Sequence, residues 1–208
     1  MNVCACMVVI FINNQLVRFG GDMSVGAFGI ANRIVFIFVM FVMGINQGMQ
    51  PIAGYNYGAQ KLDRMMQVVK LSIIAATVIM ILGWFLAMLA PRQCVSLFTT
   101  DKHLIDTTVH GMRRMMLMLP IVGYQMVITN FFQCIGKVKI SIFLSLSRQL
   151  LFLLPALALL PIWFGLDGVW LAQPVSDFIA SVVTAWIMIV YMHKFKLQHK
   201  ENQYGRQE

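Results

Sequence analysis

Leu71-Ser-Ile-Ile-Ala-Ala-Thr-Val-Ile-Met-Ile-Leu-Gly-Trp-Phe-Leu-Ala-Met-Leu-Ala90 runs without a single charge and stops at Pro91-Arg92. A helix rises ~1.5 Å per residue, so a run of this length covers the ~30 Å hydrocarbon core of a bilayer. Proline cannot continue the last turn, so the helix ends there. Composition carries the same reading outward to the whole chain. Of 208 residues, 59% are hydrophobic and 12% charged, with a mean hydropathy of +0.76, whereas soluble domains carry ~25% charged residues. A water-soluble globule is excluded. So is disorder, because 15 Phe, 17 Met and 4 Trp are far too apolar for a chain that stays unfolded. The net charge of +8 would point to nucleic acid in a soluble protein, but basic residues beside apolar spans are topology signals, and no nucleic-acid partner is expected.

Five further apolar runs flank that segment. The expected fold is an all-α polytopic membrane protein whose lobe, 1–193, has spans near 1–18, 24–50, 68–90, 112–135, 140–163 and 168–192, followed by a basic cytoplasmic tail, 194–208. The first span is short, polar at Asn13, Asn14 and Gln15, and bounded by Arg18 and Gly20-Gly21-Asp22. The fourth carries Pro120 and Gly123, the fifth Arg148, Pro155 and Pro161, and the sixth Pro174 and Asp177. Residues 1–18 lack the basic start of a secretory signal, so no cleaved signal is expected. Lys61, Arg64, Lys70, Lys137, Lys139, Lys194, Lys196, Lys200 and Arg206 fall on one side. Arg18, Arg92, Lys102, Arg113 and Arg114 fall on the other, nearly cancelled by Asp22, Asp101, Asp106 and Asp167. The more basic side is expected to be cytoplasmic, with both termini inside the cell (inner) membrane.

Three charges lie inside the predicted hydrocarbon zone, away from the span ends: Arg33, Arg148 and Asp177. Each costs roughly 3 kcal/mol at mid-helix, so each should face protein or a wet cavity. Arg33 and Asp177 both lie nine residues from the outer ends of their helices, about 13 Å deep at ~1.5 Å per residue. Matched depth makes them an expected ion pair, serving either to lock helices together or to let Asp177 exchange Arg33 for a proton or cation. Arg148 lies nearer the inner face and is expected to snorkel.

Gly44-Ile-Asn-Gln-Gly-Met-Gln-Pro-Ile-Ala-Gly-Tyr-Asn-Tyr-Gly58 is the other informative passage. Gly44, Gly48, Gly54 and Gly58 permit close approach or a break, and Pro51 removes a donor. Asn46, Gln47 and Gln50 set neutral polar groups beside it. One reading is a broken helix lining a transport cavity; the other is a helix exit followed by a Gly-rich inner turn. Asn13, Gln15, Gln125, Thr129 and Asn130 add neutral polar groups from other spans, and a cavity so lined suits bulky apolar cations. Met112, Met115, Met116 and Met118 read as packing or lipid-facing residues rather than a metal-thioether path. Cys4 and Cys6 are too close for an ordinary disulfide and have no second metal half-site nearby. His103, His110, His193 and His199 avoid mid-span, and there is neither a hydrolase motif nor a phosphate-cradling loop. Neither an enzyme, a resident cofactor nor a metal centre is expected.

The passage Gly44 to Ala59 with its Gln50-Pro51, followed by Lys61 and Arg64, resembles the MATE (multidrug and toxic compound extrusion) family. So do Gly20-Gly21-Asp22 through Ala31-Asn32-Arg33-Ile34, Gln133-Cys-Ile-Gly136-Lys137, Ser147-Arg148-Gln149 with Pro155, and Gly165-Leu-Asp-Gly-Val-Trp170 with Pro174 and Asp177. The chain is most similar to that family's C-terminal half. The resemblance implies a twelve-helix, two-lobed antiporter that exports drugs or organic cations in exchange for H+ or Na+. This chain would supply one six-helix lobe, and the other lobe and the lipid bilayer would be its partners. The acid usually credited with proton coupling in that family belongs to the other lobe, and the first, second and fourth spans here contain no carboxylate. Two other readings are a lipid-linked oligosaccharide flippase of the same superfamily, which favours a more cationic cavity, and a non-transporting fragment or scaffold.

Overall fold

The structure, a computed structural model, describes the backbone of residues 2–204 and the side chains of residues 6–193. Cys4 and the tail cations Lys194, Lys196, Lys200 and Arg206 therefore lie outside the described side chains, as does His199. Among the described residues every regular element is helical: α1 (Asn2–Gly58), α2 (Leu62–Leu89), α3 (Pro91–Ser96), α4 (Lys102–Met115), α5 (Leu119–Cys134), α6 (Val138–Leu146), a π-helical segment (Ser147–Leu153), α7 (Leu154–Phe164) and α8 (Leu166–Tyr204).

The 57 residues of α1 would reach ~85 Å if straight, nearly three times the hydrocarbon thickness. They divide at Gly21, whose φ of 68° and ψ of −176° break the helical path in a region that only glycine occupies without strain. The expected turn at Gly20-Gly21-Asp22 is thus a one-residue break between the first two spans. The fourth span is also divided: α4 and α5 meet at 56° across Met116 to Met118, with Pro120 in the first turn of α5. The last helix does not end at the expected tail boundary, because α8 continues to Tyr204.

The expected break at Pro51 is absent. Residues 22–58 stay helical through it, and the helix closes after Gly58. There Lys61 N–H donates to Asn56 O at 2.9 Å and Gln60 N–H to Tyr57 O at 3.1 Å. This is a Schellman closure with Gln60 in the left-handed position, φ 57°. One missing N–H costs a single bond in a long helix, and at the exit Asn56 Nδ2 donates back to Ile52 O at 2.8 Å. Gly44, Gln50, Pro51, Gly54 and Gly58 therefore belong to one unbroken helix and its exit.

Packing follows the membrane pattern. Buried positions of α2 are Met65, Val69, Ser72, Ala76, Met80, Gly83 and Ala87, a single stripe spaced by three and four residues. Four of the seven are small, which lets backbones approach where no hydrophobic force separates helix from solvent. Its large side chains point outward, with Leu71 70% and Leu89 81% exposed. In water such a surface would aggregate; in lipid it is solvated. On the stripe side α2 lies between α1 and α5. Met112, Met115 and Met116 are buried in the same core, as packing residues.

Candidate functional site

Some of the neutral polar groups of α1 and α5 meet, and near them the charged groups of the π-helical segment and α8 pair. Gln50 of α1 donates through Nε2 to Asn130 Oδ1 at 3.2 Å, and Asn130 in turn donates to Met126 O at 2.9 Å. Beside this contact two clefts open, of about 210 Å³ and 200 Å³. The first is lined by Asn32 and Val39 of α1, Met115, Met126 of α5, Arg148 of the π-helical segment, and Gln173 and Asp177 of α8. The second is lined by Gln125, Met126, Thr129, Asn130, Ser145, Arg148 and Gln149. Met126 and Arg148 face both, so the two clefts flank one guanidinium.

Arg148 Nε donates to Asp177 Oδ1 at 2.7 Å, which corrects the expected pairing of Asp177 with Arg33. Arg33 is exposed on α1. Depth along a helix can be counted from sequence, but the direction a residue faces around the axis cannot, and here the direction decides. The π-helical turns of Ser147–Leu153 widen the helix through i→i+5 bonding. Ser176 Oγ of α8 donates to Arg148 O within that segment at 2.9 Å. Two consecutive residues of α8 thus hold Arg148, Ser176 by its backbone and Asp177 by its side chain. Asp177 is 5% exposed, so its charge depends on that single partner.

Of the expected cavity residues, Gln125 and Asn130 line the second cleft and Gln50 reaches it only through its hydrogen bond to Asn130, whereas Asn13, Gln15, Asn46 and Gln47 line neither cleft. Gln47 is exposed on α1, and Asn46 is buried with neither side-chain atom hydrogen-bonded. Arg148 does not snorkel. Asn32, Gln149, Gln173 and Ser176 complete the site without having been anticipated. The available signal was Pro155, whose missing N–H beyond Arg148 marks a place where regular α-helical bonding must change.

Helices that bury small residues, face lipid with large ones and leave clefts with polar groups between them define a polytopic membrane protein. The MatE family model matches residues 1–157, and the chain belongs to that family, whose members are transporters rather than enzymes. The multidrug export protein MepA of Staphylococcus aureus (strain MSSA476) is 25% identical over 177 residues, covering 85% of this chain and 38% of MepA. MepA of Staphylococcus haemolyticus (strain JCSC1435) is 26% identical over 167 residues, 78% of this chain and 36% of that protein. Among solved structures, the MATE multidrug transporter DinF-BH matches with a TM-score of 0.78 and 40% identity, over 90% of this chain and 42% of that one. A MATE structure in the bent conformation shares the fold, with a TM-score of 0.87 at 20% identity over 96% of this chain and 44% of that one. The chain spans less than half the length of each of these relatives.

Proposed function

We propose that this chain is the C-terminal lobe of a secondary active efflux transporter that exports drugs or organic cations by antiport with H+ or Na+. The observation that carries the reading is the mainly apolar, methionine-edged cleft that holds Arg148 and Asp177, found in a member of a family whose relatives are named for multidrug export. Adaptable thioethers and neutral amides tolerate many ligand shapes. Asp177 is the one carboxylate among the described residues lining the two clefts, and it is the group there that could receive a positive ligand in place of Arg148. The basic turns after Gly58 and Cys134 face the cytoplasm on this reading, in the inner membrane, with both ends of the chain inside. An oligosaccharide flippase would need spare cations for phosphate groups, yet among the described residues Arg148 is the one cation lining the two clefts, and Asp177 engages it.

The test is accumulation of ethidium, a fluorescent organic cation, in cells stripped of their own pumps and expressing the full-length polypeptide that contains this lobe. Lower dye accumulation than in empty-vector cells is expected, reversed when the ion gradients are collapsed. Equal accumulation in both, with the protein present in the membrane, overturns the assignment.

A further inference from the structure

Arg148 holds Asp177 by one hydrogen bond, Nε–H to Oδ1. The two-pronged guanidinium fork that would lock a permanent strut is not formed. Oδ2 of Asp177 accepts no hydrogen bond among the described residues, and the carboxylate lines the first cleft. Arg148 borders the second cleft as well, and there Gln125, 3% exposed, presents Oε1 with no hydrogen-bond partner. A buried amide oxygen left unbonded is costly, and a guanidinium N–H is a donor well suited to it. The Arg148 backbone is pinned to Ser176, so the side chain can turn while its root stays in place.

We infer that Arg148 is a two-position clasp over a cation site. In the closed position, which the structure shows, it occupies Asp177. In the open position it donates to Gln125, and Asp177 receives the positive group of a lipophilic organic cation lying in the first cleft between Asn32 and Gln173. The inference rests on the proposed transport function and adds to it the control of the site: whether Asp177 is free to take a cation is set by the position of Arg148. Affinity then depends on the fraction of molecules with the clasp open, because an occupied carboxylate binds nothing.

The experiment measures binding of tetraphenylphosphonium, and of uncharged triphenylphosphine oxide, to the purified full-length polypeptide in detergent. Asp177→Asn is expected to weaken tetraphenylphosphonium about tenfold or more, since a charge-assisted contact is lost, while triphenylphosphine oxide binds as before. Gln125→Met removes an unbonded buried oxygen, so its thermal stability should equal or exceed that of the wild type. It should nonetheless weaken tetraphenylphosphonium by roughly threefold to tenfold through a smaller open fraction. A purely structural role for the pair predicts no binding change in Gln125→Met, and that variant decides the matter if Asp177→Asn fails to accumulate. Wild-type affinity in Gln125→Met, or a wild-type protein that binds no tetraphenylphosphonium, overturns the clasp. Intact ethidium efflux with unaltered binding in the variants removes the clasp and leaves the transport reading standing. The expected binding pattern in a protein that does not lower ethidium accumulation does the reverse.

Discussion

Arg148→Leu, made alone, is expected to lower stability by about 3–5 kcal/mol, because it leaves the buried Asp177 carboxylate without its counter-charge. The partner change Asp177→Asn should cost clearly less. Arg148 is 29% exposed at its side chain against 7% for Asp177, and it borders both clefts, with Gln125 lining the second. Arg148→Leu combined with Asp177→Leu should recover most of the loss, since two apolar side chains of moderate size replace an ion pair whose desolvation is expensive. Thermal melts of the wild type, Arg148→Leu, Asp177→Leu and the double variant in detergent complete the cycle. Additive losses in the double variant would show that the two residues do not act as a pair.

Gly168→Ala is the second large effect, expected at roughly 3 kcal/mol and visible as poor membrane accumulation. Gly168 opens α8 just after the turn at Gly165, and a Cβ there would overlap the backbone carbonyl of Leu160 and approach Pro161 N at 2.7 Å. Backbone cannot rotate aside as a side chain can. Pro161 also fixes its own φ, so the end of α7 has little freedom to yield. The control is Gly29→Ala, where a Cβ meets nothing within 4 Å and alanine's better helix propensity makes the change neutral to mildly favourable. Equal melting temperatures for the two variants would refute the close packing of α7 on α8.

What could be read from the sequence divides along a physical line. Hydrophobic runs report the spans because the bilayer fixes their length, and Pro91 and Gly21 mark boundaries through backbone chemistry that is local. Features that depend on which way a helix faces were hidden. Arg33 and Asp177 share a depth, but Arg33 lies on an exposed face of α1 while the widened turns at Ser147–Leu153 bring Arg148 to α8. Pro51 carried a local signal for a break, and the surrounding helix overrode it because the lost N–H is one bond in a long, otherwise complete ladder. The bend at Met116 to Met118 went unseen because methionine has good helix propensity, and only Pro120 hints at it. Gln50, Gln125 and Asn130 were recognisable as polar residues out of place in apolar spans; Gln50 bonds Asn130, and Asn130 lines the second cleft with Gln125. Asn13, Gln15 and Gln47 gave the same signal and do not join them.

The central claim is that transported cations occupy the cleft between α1, α5 and α8. It is tested most directly by placing a cysteine at Gln173 in the full-length polypeptide, with the native cysteines replaced, and timing its reaction with a maleimide in membranes. Gln173 lines the cleft beside Asp177, so saturating tetraphenylphosphonium should slow labelling severalfold, while a cysteine at Ser96, which lines neither cleft, reacts at an unchanged rate. Labelling at Gln173→Cys that is indifferent to the cation, in a protein that still exports ethidium, would place the substrate elsewhere and contradict the account.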